Sequence, residues 1–144
     1  MEGYPHHYFA TANGTDNGNV VVSGEGLPPL DTQSPPQFGG PEGVWSPETM
    51  LSAAVANCFV LSFRAIARAS KFEWISLDCK VDGELDRPAR AAFFTAFKVD
   101  AVLKVPEGAK LEMAQRLLEK AEDICLITAS LKSEVVLTTD IQVV

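Results

Sequence analysis

"SPETMLSAAVANCFVLSFRAIA", residues 46–67, is the stretch whose reading decides the fold. Ser46 is a good helix cap, Pro47 fits the first helical position, and Glu48 places a carboxylate at the positive end of the helix dipole. From residue 50 to 63 small and apolar side chains cover nearly the whole circumference, which predicts a helix buried on most sides and running to about residue 70. Arg64, Arg68 and Lys71 mark its wetter end. Such a segment reads as the central helix of a domain. Cys58 sits in its middle, where a cysteine is ordinarily inert packing.

Upstream, residues 6–11 and 19–22 are β-like, and "ANGTDNG" between them supplies turn residues that tolerate left-handed geometry. A hairpin is expected there. Residues 23–47 hold six prolines and five glycines, and read as a long ordered loop of the functional kind. Downstream, "WISLDCKVDGEL" alternates, with Ile75, Leu77, Cys79 and Val81 on one face. Cys79 therefore reads as a small core residue. "FFTAFKVDAVLKV" returns as a second strand, Pro106 and Glu107 open a helix with Leu111, Ala114, Leu117, Leu118 and Ala121 at helical spacing, and "SEVVLTTDIQVV" closes the chain as a strand. Strands that follow one another in pairs make the class α+β. The 144 residues are one domain's worth of length, 1–144.

The net charge is −7, and no Lys or Arg precedes Arg64 while six acidic residues do. That argues against nucleic acid as a partner. Arg64, Lys71 and Glu73 interrupt the apolar stretches before the roughly 18 residues of a membrane span, and the start lacks a basic region, so the expected location is the cytoplasm. Cys58, Cys79 and Cys125 lie far apart, in neither a disulfide framework nor a zinc pattern. Nucleophile-elbow, Walker and dinucleotide signatures are missing. The chemistry then rests on cysteine.

Two stretches carry a resemblance: "SPETMLSAAVANCFVLSFRAIA" and, far downstream, "LLEKAEDICLITASLKSEVVLTT". Together they resemble the OsmC/Ohr family of thiol-dependent peroxidases, in which a glutamate precedes a peroxidatic cysteine by ten residues and a second cysteine ends a later helix. Glu48, Cys58 and Cys125 occupy those positions. The resemblance implies antiparallel sheets around a buried central helix in an intertwined homodimer. It also implies reduction of organic hydroperoxides without metal, haem or flavin. Cys58 would become a sulfenic acid, Cys125 would condense with it to a disulfide, and an external thiol, in related enzymes often a dihydrolipoyl group, would restore both. Ten residues of straight helix separate Glu48 from Cys58 by about 15 Å of rise. If both serve one site, a second chain supplies the glutamate, through antiparallel crossing of two copies of the helix.

The chain departs from that pattern at two places. Family members set an arginine beside the reactive cysteine, from the first hairpin or the loop before the central helix, to lower its pKa and orient the peroxide. Here the hairpin offers Thr15 and the loop Gln37 and Phe38. His6 or His7, or else Arg87 or Arg90, are the candidate substitutes. Leu126 stands where many relatives have proline. A non-enzymatic binding or redox-sensing protein is the alternative reading, separated from the first by what surrounds Cys58. Trp45, Phe38 and Phe59 either line an apolar pocket or pin the loop.

Overall fold

The computed structural model describes residues 1–144, which form two compact units, Met1–Met50 and Leu51–Val144.

The first unit is a three-stranded antiparallel sheet of β1 (Thr11–Asn13), β2 (Val20–Ser23) and β3 (Leu30–Thr32), in that order. Thr11 and Ser23 face each other across β1 and β2, their hydroxyls 2.9 Å apart. The hairpin expected between residues 6–11 and 19–22 is present but starts later. Residues 6–10 form no strand, and Tyr8 and Phe9 are exposed. Their rings meet histidines of the same segment, Tyr8 against His6 and Phe9 against His7, and residues 6–10 pair with no second strand. The Pro- and Gly-rich loop is more regular than expected, because β3 lies inside it, followed by a 3-10 turn at Pro36–Phe38. A Cβ on Gly40 would collide with the Ser34 carbonyl, so the tight return of the chain there demands glycine. The Gln33 N–H then donates to the Trp45 carbonyl at 2.9 Å and ties the end of the loop to its start.

The long helix α1 (Pro47–Ala69) begins as its sequence dictates. The Thr49 N–H donates to Ser46 Oγ at 3.1 Å, and the Ser46 N–H donates to Thr49 Oγ1 at 2.9 Å, a reciprocal cap around a buried serine. Within the chain, α1 buries one stripe, Val55, Phe59, Phe63 and Ala67, spaced four residues apart. The opposite side carries Asn57, Leu61 and Ala65, all exposed, and Leu61 keeps 49% of its surface open. The expected burial on most sides is thus not met by this chain alone. By length and composition α1 would suffice to cross a membrane, correcting the expectation that Arg64 cuts the apolar run short. One guanidinium in a long window dilutes its apolarity too little, and the stripe packed in the core accounts for part of that composition.

In the second unit, β4 (Ser76–Asp86), β5 (Phe93–Val105) and β6 (Glu134–Val143) form a sheet in that order, with α2 (Leu111–Asp123) and the short α3 (Leu126–Ala129) between β5 and β6. β4 and β5 are antiparallel, whereas β6 pairs parallel to β5, from Ala96↔Glu134 to Val105↔Val143. An all-antiparallel sheet is therefore not what forms. The helical crossover carries the chain back to the starting end of β5, and parallel neighbours need such a connection. The turn at residues 106–109, with Gly108 at φ 87°, delays α2 to Leu111, later than Pro106 and Glu107 suggest. One sheet face presents Phe97, Val99, Ala101, Leu103 and Val105 to the α1 stripe and to Ala114, Leu117, Leu118 and Ala121 of α2. Each fully buried Phe or Leu contributes about 1.5–3 kcal/mol relative to exposure. The other face, with Lys80, Asp82, Lys98 and Asp100, is solvated.

Candidate active site

Cys58 is half-buried in the middle of α1. One turn on, Ser62 Oγ lies 3.9 Å from its sulfur, as the i, i+4 geometry of a helix requires. The second wall comes from the end of α2. The Cys125 N–H donates to the Glu122 carbonyl at 3.1 Å, and the chain then turns extended at Cys125 (φ −62°, ψ 113°) before α3 starts. Cys125 is only 2% exposed. Its carbonyl accepts from the Ala129 N–H at 3.0 Å and from Thr128 Oγ1 at 3.3 Å. Both thiols are free.

Burial pushes the Cys58 thiol up, but hydrogen bonds from the Ile127 N–H, the Cys125 side chain, the Leu126 N–H and the Ser62 hydroxyl outweigh it and hold Cys58 below the ordinary thiol range. Every group that lowers it is uncharged. Arg87 and Arg90, two of the expected substitute cations, are not among them. Arg87 and Arg90 stand exposed at the connection between β4 and β5, where the Arg87 N–H donates to Asp86 Oδ1 at 2.7 Å. Arg64 and Arg68 are exposed on α1.

Cys79 behaves oppositely. It packs against the core from β4, and burial, with the charge of Asp100 and the nearby Cys125, pushes its thiol up to about 11. At neutral pH it stays protonated and unreactive. Glu122, the acid of the Glu-x-x-Cys turn, is raised by burial and by Asp123. Phe59 is fully buried in the core stripe and lines no open pocket, while Phe38 and Trp45 remain exposed.

The sequence-derived site residues therefore separate into two groups. Cys58 and Cys125 are brought together. Glu48 lies ten residues before Cys58 on the same helix, and its Oε1 is buried without a hydrogen-bond partner. An unpaired buried polar oxygen costs about 1–3 kcal/mol, more when charged. Ser62 and the main-chain donors of residues 126 and 127 escaped the sequence reading. The i, i+4 spacing of Cys58 and Ser62 and a residue other than proline after Cys125 were the available signals.

Comparison with known proteins follows the same lines. The family model for OsmC-like proteins matches residues 40–140. YmaD, an uncharacterised protein of Bacillus subtilis, is 27% identical over 144 residues, covering 96% of this chain and 95% of its own. An OsmC-like protein of unknown function from Vibrio cholerae superposes with a TM-score of 0.84 at 17% identity, over 94% of this chain and 99% of that one. An organic hydroperoxide resistance protein from Legionella pneumophila does so with a TM-score of 0.69 at 24% identity, over 97% and 99%. One from Elizabethkingia anophelis gives 0.74 at 20%, over 98% and 99%.

Proposed function

The chain belongs to the OsmC family, and from that premise we propose that it is a thiol-dependent peroxidase reducing organic hydroperoxides to alcohols, with residues 1–144 acting as one OsmC-like domain. The single observation that carries the reading is the lowered Cys58 thiol facing Cys125. The Cys58 thiolate attacks the terminal oxygen of the hydroperoxide, the O–O bond breaks, and the departing alkoxide takes a proton to become the alcohol. Cys58 is left as a sulfenic acid. The Cys125 thiol attacks that sulfur, water leaves, and a Cys58–Cys125 disulfide forms, which shields Cys58 from further oxidation. An external dithiol of the dihydrolipoyl class returns both thiols by exchange. None of these steps uses a metal or organic cofactor. Free thiols of this kind persist in a reducing compartment, which points to the cytoplasm.

The working form in this proposal is a homodimer. Asn57, Leu61 and Ala65 form an uncovered side of α1, and Glu48 holds a buried oxygen without a partner. A second copy of α1 crossing antiparallel covers the apolar side and brings Glu48 of the partner subunit toward Cys58.

A non-enzymatic binding or redox-sensing protein is the competing reading, favoured by the lack of any cation among the groups that lower Cys58. The experiment that separates the two is peptide mapping of the reduced protein after one equivalent of cumene hydroperoxide, timed beside hydrogen peroxide. A rapid Cys58–Cys125 disulfide, faster with the organic oxidant, supports the peroxidase. Thiols that oxidise no faster than free cysteine make it a binding protein.

A further inference from the structure

We infer that Asn17 is a self-modification site, where the main-chain nitrogen of Gly18 closes on the Asn17 side chain to form a succinimide. Thr15 is its positioning residue, and water opens the ring to aspartate or isoaspartate. The turn between β1 and β2 holds two Asn-Gly pairs, Asn13–Gly14 and Asn17–Gly18. Glycine after asparagine is the least hindered arrangement for this ring closure, because no Cβ shields the attacking nitrogen. With the same chemistry at both pairs, their surroundings decide between them. Asn13 is the last residue of β1, held in register opposite Val21, and a Cβ on Gly14 would lie 2.9 Å from Val20 Cγ2. A paired strand residue beside a crowded neighbour is restrained from swinging its side-chain carbonyl over the next nitrogen. Asn17 belongs to no strand, both it and Gly18 are exposed, and nothing lies within 4 Å of where a Gly18 Cβ would be. Gly18 takes φ 80°, and no backbone carbonyl accepts from its N–H.

Thr15 supplies the activating contact. Its Oγ1 donates to the Asn17 main-chain carbonyl at 2.9 Å, and that carbonyl belongs to the same peptide unit as the Gly18 nitrogen. A donor on this oxygen stabilises the negative charge that the unit takes on when the nitrogen gives up its proton, and donors to charged acceptors are the stronger kind. On the far side, Gln33 Nε2 donates to the Gly18 carbonyl at 2.6 Å and to Asn19 Oδ1 at 3.2 Å, so the glycine is held just after its nitrogen. The deprotonated Gly18 nitrogen attacks Asn17 Cγ and the bond from Cγ to the side-chain nitrogen breaks. Ammonia leaves, carrying the equivalent of the proton that Gly18 gave up. Water then adds to one of the two ring carbonyls and the ring opens, with no oxidant or reductant involved. Opening at the main-chain carbonyl gives isoaspartate, which inserts a methylene into the chain and moves the Gly18 carbonyl relative to Gln33. Either product adds a negative charge to the stretch before Arg64, where no Lys or Arg offsets it.

The experiment incubates the whole protein in heavy-oxygen water at mildly alkaline pH and follows both Asn-Gly pairs by peptide mapping, with isoaspartate read by an isoaspartyl methyltransferase. Asn17 is expected to lose ammonia about tenfold faster than Asn13, the factor set by freeing one residue's backbone from the ladder. In urea the two rates should converge, since only their common chemistry is left. Thr15→Val should slow Asn17 about fivefold, the worth of one hydrogen bond, and displace its rate-against-pH line to higher pH. Thr15→Ser keeps the hydroxyl and should restore the wild-type rate. Should Thr15→Val loosen the hairpin, which a faster Asn13 would report, Thr15→Ala takes its place with the same expected slowing. An Asn13 that reacts as fast as Asn17 in the folded protein overturns the site. Equal Asn17 rates with and without the hydroxyl, or a Thr15→Ser as slow as Thr15→Val, overturn the role of Thr15. None of these readouts involves Cys58, so the inference stands or falls apart from the peroxidase reading.

Discussion

Cys58 and Cys125 face each other from two different elements, the first in the middle of α1 and the second at the turn where α2 gives way to α3. They are 67 positions apart in sequence (125 − 58), and the contact exists only because α1 and α2 share one core against the same sheet. One thiol is half-exposed and lowered, the other fully buried. In the proposed reaction, that asymmetry favours Cys58 for attack on an incoming peroxide and Cys125 for resolution. The assignment predicts the behaviour of Cys125→Ala. The variant should reduce about one equivalent of cumene hydroperoxide and then stop, with Cys58 carried on to sulfinic acid when peroxide is in excess. Intact mass and peptide mapping read both results. A variant that sustains wild-type turnover with a dithiol reductant, with Cys58 unoxidised, would remove Cys125 from the mechanism.

The third thiol gives a pH prediction of definite sign. Cys79 is raised from about 9 to about 11 in the folded protein. A group whose folded value is raised contributes stability that is fully present below its unfolded value and is lost as pH climbs through the folded one. The unfolded chain ionises first, so the loss runs from about pH 9 to about pH 11. Two units correspond to roughly 3 kcal/mol at most. Urea titrations of wild type and Cys79→Ala should therefore converge with rising pH, the wild type losing an advantage that it holds at neutral pH. Parallel curves throughout this range would show that Cys79 does not feel the core. The Cys58–Cys125 disulfide should form at the same rate in Cys79→Ala.

These results indicate which parts of the molecule a sequence can disclose. The start of α1 was legible because Ser46 and Pro47 act on their own neighbours, and local capping chemistry does not wait for tertiary structure. The α+β class followed from the pairing order of alternating segments. The parallel partnering of β6 did not, since the direction of a strand relative to its neighbour depends on where the α2 and α3 crossover sets the chain down. The site divides the same way. Residue identities revealed Cys58 and Cys125, whereas two of the groups that lower Cys58, at residues 126 and 127, are main-chain groups, and every residue except proline carries the same N–H.

Packing of α1 on the sheet supplies a third prediction. A Cβ added at Gly83 would lie 2.6 Å from Ser52 Oγ and 2.9 Å from the Phe97 ring. Neither neighbour can yield freely, because Ser52 is on α1 and Phe97 is fully buried in the core. Gly83→Ala should destabilise by about 1–3 kcal/mol, the usual cost of overpacking. Adding Ser52→Ala should recover part of the loss, with the remainder belonging to Phe97. Thermal melts of the two single variants and the double variant test this. Additive effects would mean that Ser52 and Gly83 do not meet, since sites in contact are expected to couple.

The uncovered side of α1 leads to the last prediction. Leu61 is half open in the single chain and sits opposite the buried stripe of Val55, Phe59, Phe63 and Ala67. In the proposed dimer it is covered by a second copy. Leu61→Asp would then place a charge in an apolar contact, at a cost well above the 1.5–3 kcal/mol of a leucine side chain's burial. The expected outcome is a dimer for the wild type at micromolar concentration in sedimentation velocity, and a monomer of native circular dichroism for the variant. Because the dimer brings Glu48 of the partner subunit to Cys58, hydroperoxide turnover should fall with it, while the Cys125 side of the site stays built within one chain. Alkylation of Cys58 in the monomeric variant measures that retained half directly. A wild type that sediments as a monomer would leave Glu48 outside the site, and Cys58, Cys125 and their main-chain donors would then make up the whole of it.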